Sequence, residues 1–263
     1  MAGEGLSFGV ILRRNSARAR LREKGFLLGA FVEIAAPEIV EILGAAGMDF
    51  AVIDEEHGAL DPQTAAGMIR AAGSTEICPL VRVRENAPGP ILEALDLGAA
   101  GLHIPQIASR GQAEAAVRYT RYPPAGERGF NPFVRAWSFG AAPVEEDVLV
   151  VLHIEAGQAV SAAEEILSVP GIDVAFLGPY DLSMTLGIPG QVTDQRVREA
   201  MRAVGAVAAR HGVSLGTYAN TVDHTELWLK EGVRYLACGV DQNILLRAAG
   251  DICRQVARFV GKR

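Results

Sequence analysis

The sequence predicts an α/β fold, a TIM (β/α)8 barrel, on three observations. Short apolar segments alternate along the 263 residues with amphipathic segments of helical period. These short segments are apolar throughout, which is typical of strands in a parallel sheet covered on both faces. Eight such units occupy about 240 residues, which suits a closed barrel better than an open doubly wound sheet. We therefore expect one barrel domain, residues 26–263, and no second domain.

The elements follow one another in regular order. The first helix after a strand is predicted to begin at Pro37, because proline favours the first turn of a helix. Further helices are expected at 61–72, 90–97 and 109–120, and an irregular segment, 121–147, precedes the fifth strand. The basic residues 1–25 are interpreted as an N-terminal helical extension, with a transit peptide as the alternative. The predicted strands are 26–32, 50–53, 78–84, 101–105, 148–155, 173–177, 213–218 and 235–240.

Composition argues against several classes of function. The formal net charge is -6 and the pI is about 5.5, which disfavours nucleic-acid or anionic-membrane partners. No apolar run reaches the roughly 18 residues of a membrane span. The three cysteines are expected to be buried, reduced thiols of a cytoplasmic protein. No glycine-rich dinucleotide turn or phosphate-binding P-loop follows a strand, so nucleotide cofactors are not expected.

Charged residues close three of the apolar segments. The segment 54–57, Asp-Glu-Glu-His, ends the second predicted strand, Glu155 ends the fifth, and Asp181 follows the sixth. The carboxyl ends of parallel strands meet at one rim of a barrel, where the active sites of such barrels lie. We therefore expect a single active site at this rim. For 54–57 the alternative is a solvated loop or a helix cap.

Glu155 and Asp181 are candidate metal ligands. Two carboxylates from neighbouring strands repel each other, and a hard divalent cation relieves that repulsion. With two protein oxygens, an ion such as Mg²⁺ keeps positions for water and for a 2-oxo acid. The cation then acts as a Lewis acid that stabilises an enolate. The alternatives are a salt-bridge role for either residue and a helix cap at Asp181.

Three further residues complete the candidate chemistry. Arg82, at the end of the third strand, can place a permanent cation beside a developing oxyanion, although Arg84 is the alternative. His57 is the candidate base, acting directly or through a metal-bound water. Asp96 is a candidate to orient the His57 ring, with an ordinary surface position as the alternative.

Four segments of the chain resemble the HpcH/HpaI family of metal-dependent, class II pyruvate aldolases. This family includes 4-hydroxy-2-oxoheptanedioate aldolase and 2-keto-3-deoxy-sugar-acid aldolases. The resemblance extends from about Phe26 to Phe259, nearly the whole chain, and it implies a barrel of the phosphoenolpyruvate/pyruvate-domain type. The segments that carry it are 54–57, 79–82, 121–129 and 178–183.

The resemblance implies a lyase that reversibly cleaves a 4-hydroxy-2-oxo acid into pyruvate and an aldehyde through a metal-bound pyruvate enolate. It also implies Mg²⁺, Mn²⁺ or Co²⁺ and a hexamer, a trimer of dimers, whose C-terminal helix is exchanged between subunits. By position, the implied residues are catalytic His57, Arg82 and Asp96, metal ligands Glu155 and Asp181, and Glu56 as the holder of a metal-bound water.

Two positions depart from the family pattern. His153 stands where a glutamine usually contacts the substrate, and Tyr180 stands where a small residue is usual. We expect Arg82, His153, Gly178, Pro179, Tyr180 and Asp181 to contact the substrate. These departures bear on the identity of the substrate more than on the enolate chemistry. The alternatives are a related enolate lyase or decarboxylase, acting on an acyl-CoA or on oxaloacetate, and a non-enzymatic barrel that binds metal.

Overall fold

The computed structural model describes residues 16–23, 25–141 and 147–260, and its eight strands close into a parallel barrel. The strands pair in chain order, and the last pairs with the first. The predicted TIM barrel is therefore confirmed, with each predicted strand present. The strands are β1 Leu27–Val32, β2 Phe50–Asp54, β3 Cys78–Arg82, β4 Gly101–Ile104, β5 Leu149–His153, β6 Val174–Leu177, β7 Ser214–Ala219 and β8 Tyr235–Val240.

The helices begin where local sequence favours a helix start. Proline occupies the first turn of several helices, and the side chains of Asp61, Ser109 and Thr221 each cap a helix by accepting a backbone N–H. The helices are α1 Ser16–Arg22, α2 Pro37–Ala45, α3 Pro62–Ala71, α4 Pro88–Asp96, α5 Arg110–Thr120, α6 Gly157–Ser161, α7 Ala163–Leu167, α8 Pro179–Thr185, α9 Gln195–Arg210, α10 Val222–Lys230 and α11 Asp241–Phe259.

Two predicted segments are described only in part. The expected helical extension, 1–25, contains α1, and its residues 1–15 and 24 lie outside the described residues. The irregular segment 121–147 contains a short 3-10 helix, Arg135–Gly140, and residues 142–146 of it lie outside the described part. The division into an extension and a barrel domain stays a prediction.

The barrel interior is filled with side chains. Phe50 and Tyr235 stack with ring centroids 4.2 Å apart, and Phe176 lies edge-on to Tyr235 at 6.2 Å. A second, larger apolar layer lies between the strands and the surrounding helices. The interior is therefore a packed core and not a channel, so the functional surface is confined to the rims.

Helix α11 carries apolar side chains that the single chain leaves exposed. Leu245, Leu246 and Phe259 are 59%, 71% and 87% exposed. A row of exposed apolar residues on one helix is typical of a surface that another protein chain covers. Within the described ranges, no helix combines the length and the apolar character that crossing a membrane requires.

We expect Gly29→Ala to destabilise the barrel by about 3 kcal/mol, the upper end of typical overpacking costs. Gly29 faces Phe50 across β1 and β2, and an added Cβ would lie 2.3 Å from the Phe50 carbonyl oxygen. That oxygen belongs to the backbone of β2, which the sheet hydrogen bonds hold in place, so it cannot move away. Urea unfolding measures the change. Gly111→Ala is the control, because Gly111 has open space around it in α5; equal stabilities of the two variants would contradict the β1/β2 register.

Candidate active site

Asp54 organises the carboxyl end of β2. Its fully buried carboxylate accepts hydrogen bonds from Arg82 Nε at 2.8 Å and from Arg82 Nη2. The same carboxylate accepts from the backbone N–H groups of Glu56 and His57, at 3.0 and 3.3 Å. Asp54 and Arg82 are direct partners in the register of β2 and β3. Sequence reasoning placed Asp54 in the cluster but did not anticipate that it fixes both the arginine and the following turn.

Arg82 is a buried cation at the rim, whereas Arg84 is exposed. Glu56 Oε2 lies 3.4 Å from Arg82 Nη1, and the Phe31 ring lies 4.6 Å from Cζ. Burial lowers the pKa of Arg82, but Asp54, Glu56 and Glu155 outweigh it, so the pKa is above its usual value. Arg82 therefore stays charged and is held in one place.

His57 lies on the exposed turn after β2. Its Nε2 is 4.0 Å from Glu56 Oε2, and its side chain is 68% exposed. The ring therefore faces the open side of the rim.

The predicted contact between Asp96 and His57 is wrong within one chain. Asp96 is the last residue of α4, which leads into the amino end of β4, whereas His57 follows the carboxyl end of β2. The two residues therefore lie at opposite ends of the barrel. Asp96 instead accepts a hydrogen bond from Arg128 Nη2 at 2.9 Å.

Glu155 and Asp181 border one small space beside Gly178. A Cβ added to Gly178 would lie 3.0 Å from Asp181 Oδ2 and 3.5 Å from Glu155 Oε1. Asp181 lies in the first turn of α8 and is not its N-cap residue, which is Gly178. Pro179 is buried at the start of the same turn. Both carboxylates therefore point toward the space that the missing Cβ leaves.

The donor set at this space fits a hard divalent cation. Glu155 and Asp181 offer carboxylate oxygens, the ligands that Mg²⁺ and Mn²⁺ prefer. In the described part of the chain, no group of three or more His, Cys, Asp or Glu residues forms a complete cage. A cation held by this pair would therefore keep coordination positions for water and substrate.

Glu155 is held from two sides. Its Oε1 lies 2.7 Å from His153 Nδ1, and it also accepts from the backbone N–H of Gln106. Burial raises the pKa of Glu155, but His153, Arg82 and the Gln106 N–H together hold that pKa below its usual value. The Gln106 side chain donates to Glu56 Oε1 at 3.2 Å. Sequence reasoning missed Gln106, although a polar residue two positions after β4 was a visible signal.

The predicted substrate contact of His153 requires correction. The residue is 1% exposed, and its Nε2 lies 2.8 Å from His103 Nδ1. Its other ring nitrogen is engaged with Glu155. Because both nitrogens have protein partners, the ring has no N–H left for a substrate. His153 faces the barrel interior and not the open rim.

A cavity of about 310 Å³ lies beside Tyr180, the residue before Asp181. The Tyr180 ring lies 6.0 Å from that of Tyr218, which lies 6.2 Å from Phe31. Burial raises the pKa of Tyr218 to about 12, so its hydroxyl remains a donor. Tyr180 therefore forms one wall, beside Asp181. The lining residues are Glu33, Tyr180, Tyr218, Asn220, Val240, Gln242 and Asn243.

Comparison with known proteins places most of the chain in one family. Residues 27–248 match the sequence model described as HpcH/HpaI aldolase/citrate lyase. The chain is 36% identical over 251 residues to 4-hydroxy-2-oxovalerate aldolase of Novosphingobium aromaticivorans, covering 92% of this chain and 94% of that protein. It is 32% identical over 239 residues to 5-keto-4-deoxy-D-glucarate aldolase of Shigella boydii, with 89% and 93% covered.

A solved structure agrees with the sequence comparisons. The crystal structure of an HpcH/HpaI aldolase/citrate lyase family protein from Burkholderia cenocepacia superposes with a TM-score of 0.87. The two chains are 33% identical, and the match covers 92% of this chain and 99% of that one.

We expect Asp54→Ala to cost about 3 kcal/mol of unfolding free energy, because it leaves the buried Arg82 charge without its main partner. Chemical denaturation measures this. The double variant Asp54→Ala/Arg82→Met should recover part of the loss, since it removes both charges. Glu226→Ala, which breaks an exposed pair with Lys230, serves as the control and should leave the midpoint unchanged. An Asp54 variant as stable as this control would contradict the role of the pair.

Proposed function

The chain belongs to the HpcH/HpaI aldolase/citrate lyase family, and we propose that it is a divalent-metal-dependent aldolase that reversibly cleaves a 4-hydroxy-2-oxo acid into pyruvate and an aldehyde. The observation that carries this proposal is the convergence of Glu155 and Asp181 on one space at the rim. The aldolase names of the two relatives support carbon–carbon bond cleavage as the reaction class.

Arg82 and the carboxylate pair bind the 2-oxo acid and stabilise its enolate. Mg²⁺, Mn²⁺ or Co²⁺ held by Glu155 and Asp181 would supply Lewis-acid polarisation of the 2-oxo group. Arg82 stabilises the negative charge that develops on the 2-oxo oxygen when the enolate forms. Because Asp54 already fixes the guanidinium, no reorganisation is needed as that charge appears.

His57 moves the proton. In the cleavage direction it accepts the proton of the substrate 4-hydroxyl and then delivers a proton to C3 of the enolate, which gives pyruvate. In the addition direction it takes a C3 proton from pyruvate and returns a proton to the new alkoxide. Glu56, and not Asp96, lies beside the ring in the same chain and orients it. Glu56 also contacts Gln106 and Arg82, so it can hold a water between the base and the cation site.

The acceptor aldehyde occupies the cavity beside Tyr180. Among the described residues, its wall is made of amide and phenol groups together with Glu33 and Val240, and none of these lining residues is lysine or arginine. Burial, with Asp54 and Asp241 nearby, raises the pKa of Glu33. These groups suit a hydroxylated aldehyde, whose hydroxyls can donate and accept, better than a purely apolar one.

A related enolate lyase is the second candidate, because the family description includes citrate lyase. Decarboxylation of oxaloacetate yields the same pyruvate enolate, so we expect it as a side reaction. An acyl-CoA substrate needs cationic groups for its phosphates, and the part of the chain that the structure describes places none in the cavity lining. The aldolase is therefore preferred over the acyl-CoA lyase.

Self-association through α11 is part of the proposal. The exposed Leu245, Leu246 and Phe259 need a cover, and exchange of α11 within a hexamer would supply it. The molar mass of the purified protein in solution tests this directly.

We expect the methyl protons of pyruvate to exchange in deuterated buffer only when a divalent cation is present. Proton NMR follows the exchange. His57→Ala should slow it by about 10²-fold or more, since a positioned base contributes about 10²- to 10⁴-fold. Asp181→Asn should also slow it, by about 10²-fold, because it removes one carboxylate ligand of the cation. His211→Ala is the control, because His211 pairs with Glu164 after α9, at the other end of the barrel. Metal-dependent exchange that persists unchanged in His57→Ala would remove His57 from the base role.

We expect Tyr180→Ala to change the choice of aldehyde without changing pyruvate proton exchange. Removing the ring widens the cavity, so kcat/KM for branched acceptors should rise by about 10-fold relative to small ones. Steady-state kinetics with a series of aldehydes measures the ratio. Tyr119→Ala, on α5, is the control. An unchanged ratio would show that Tyr180 does not bound the acceptor site.

A further inference from the structure

Three polar side chains form a continuous hydrogen-bonded chain through the barrel interior. Tyr235 Oη lies 2.7 Å from His103 Nε2, and His103 Nδ1 lies 2.8 Å from His153 Nε2. His153 Nδ1 lies 2.7 Å from Glu155 Oε1. The contributing strands are β8, β4 and β5, and all three side chains are buried. This series of hydrogen bonds therefore starts deep in the barrel, at Tyr235, and ends on a candidate metal ligand, Glu155.

The surroundings of these three hydrogen-bonded side chains are apolar. Phe176 stacks on the His153 ring at 4.6 Å and lies 5.3 Å from the His103 ring. Phe31 packs edge-on to His103 at 5.7 Å. Barrels of this kind are usually filled with branched apolar residues, and burying polar groups costs free energy unless each is bonded. Packing alone therefore gives no reason for two histidines and a tyrosine here.

The hydrogen bonds have a direction that Glu155 sets. An ionised carboxylate can only accept, so the hydrogen between it and His153 belongs to Nδ1 of the ring. When that ring is uncharged, its Nε2 accepts from His103 Nδ1–H, and His103 Nε2 accepts from the Tyr235 hydroxyl. Each donor in this arrangement points toward Glu155.

The protonation of the inner groups agrees with that direction. Burial, with His153 and Arg82 nearby, holds the pKa of His103 well below its usual value, so the ring is neutral. Burial also raises the pKa of Tyr235 well above its usual value, so its hydroxyl keeps its proton. Tyr235 is thus a donor, and His103 has one N–H and one acceptor nitrogen.

We infer that Tyr235, His103 and His153 are positioning residues that hold the Glu155 carboxylate facing Asp181 and thereby set the affinity of this pair for a divalent cation. The inference rests on the proposed function only for the presence of the cation. The protein already holds the glutamate side chain in one rotamer. The side chain therefore loses little further conformational entropy when it binds an ion. None of the three residues contacts the open rim, so they act through Glu155.

Direct titration of the metal-free protein with Mn²⁺ alone tests the inference, with free Mn²⁺ measured by electron paramagnetic resonance. We expect His153→Leu and His103→Phe to weaken binding by about 10- to 100-fold, the usual effect of losing a partner of a metal ligand. Glutamine has both an amide donor and a carbonyl acceptor, so His153→Gln should restore affinity to within about 3-fold of the wild type.

The control variant is Thr217→Val. It loses a buried hydrogen bond to the Leu177 carbonyl, at 2.7 Å. This bond is not one of those that link Tyr235, His103 and His153 to Glu155. Its Mn²⁺ affinity should equal that of the wild type. Folded His153→Leu and His103→Phe proteins that bind Mn²⁺ like this control would overturn the inference.

Nitrogen-15 NMR of histidine-labelled, metal-free wild type gives a readout that needs no variant to fold. We expect a slowly exchanging proton on Nδ1 of His153. A ring without that proton would overturn the positioning chain. A wild type that shows the proton but binds no Mn²⁺ would instead overturn the proposed function, so the two failures are distinguishable.

Discussion

The ion pair between Asp54 and Arg82 is the interaction on which the rim depends. Both groups are buried, and a buried charge is tolerated only when a partner satisfies it. Asp54 meets this requirement for Arg82 and, with its remaining lone pairs, fixes the turn that carries Glu56 and His57. Adjacent positions in β2 and β3 make the pair possible. One contact therefore links the register of the barrel to the placement of its functional side chains.

The charges at the rim explain why a cation suits the site. Arg82 contacts Asp54 and Glu56, so these protein carboxylates already balance part of its positive charge. Glu155 and Asp181 are then left facing one space with an excess of negative charge. In our proposal a divalent ion balances this excess, and the 2-oxo acid completes its coordination. In the same proposal, the cavity lined by Tyr180 and Tyr218 leaves room for acceptors of different shape without disturbing the enolate chemistry.

The sequence predicts the fold well because the signals are local. Continuous apolar runs and their glycine or proline boundaries mark all eight strands to within a few residues. Parallel strands also bring Arg82, Glu155 and Asp181 to one rim as expected. The predictions that failed concern where two side chains, those of Asp96 and His153, lie and face in the folded barrel. Within one chain, Asp96 ends a helix at the opposite rim from His57. His153 points into the barrel, because sequence spacing does not fix which way a residue near a strand end faces.

The central claim is that Glu155 and Asp181 bind one cation together and that a keto acid completes the coordination of this cation. Anomalous diffraction from crystals grown with Mn²⁺ and pyruvate tests it most directly. The account predicts one anomalous peak in contact with an oxygen of each carboxylate, with pyruvate bound to the same ion beside Arg82. A peak bound elsewhere, or no peak at saturating Mn²⁺ and pyruvate, would contradict it.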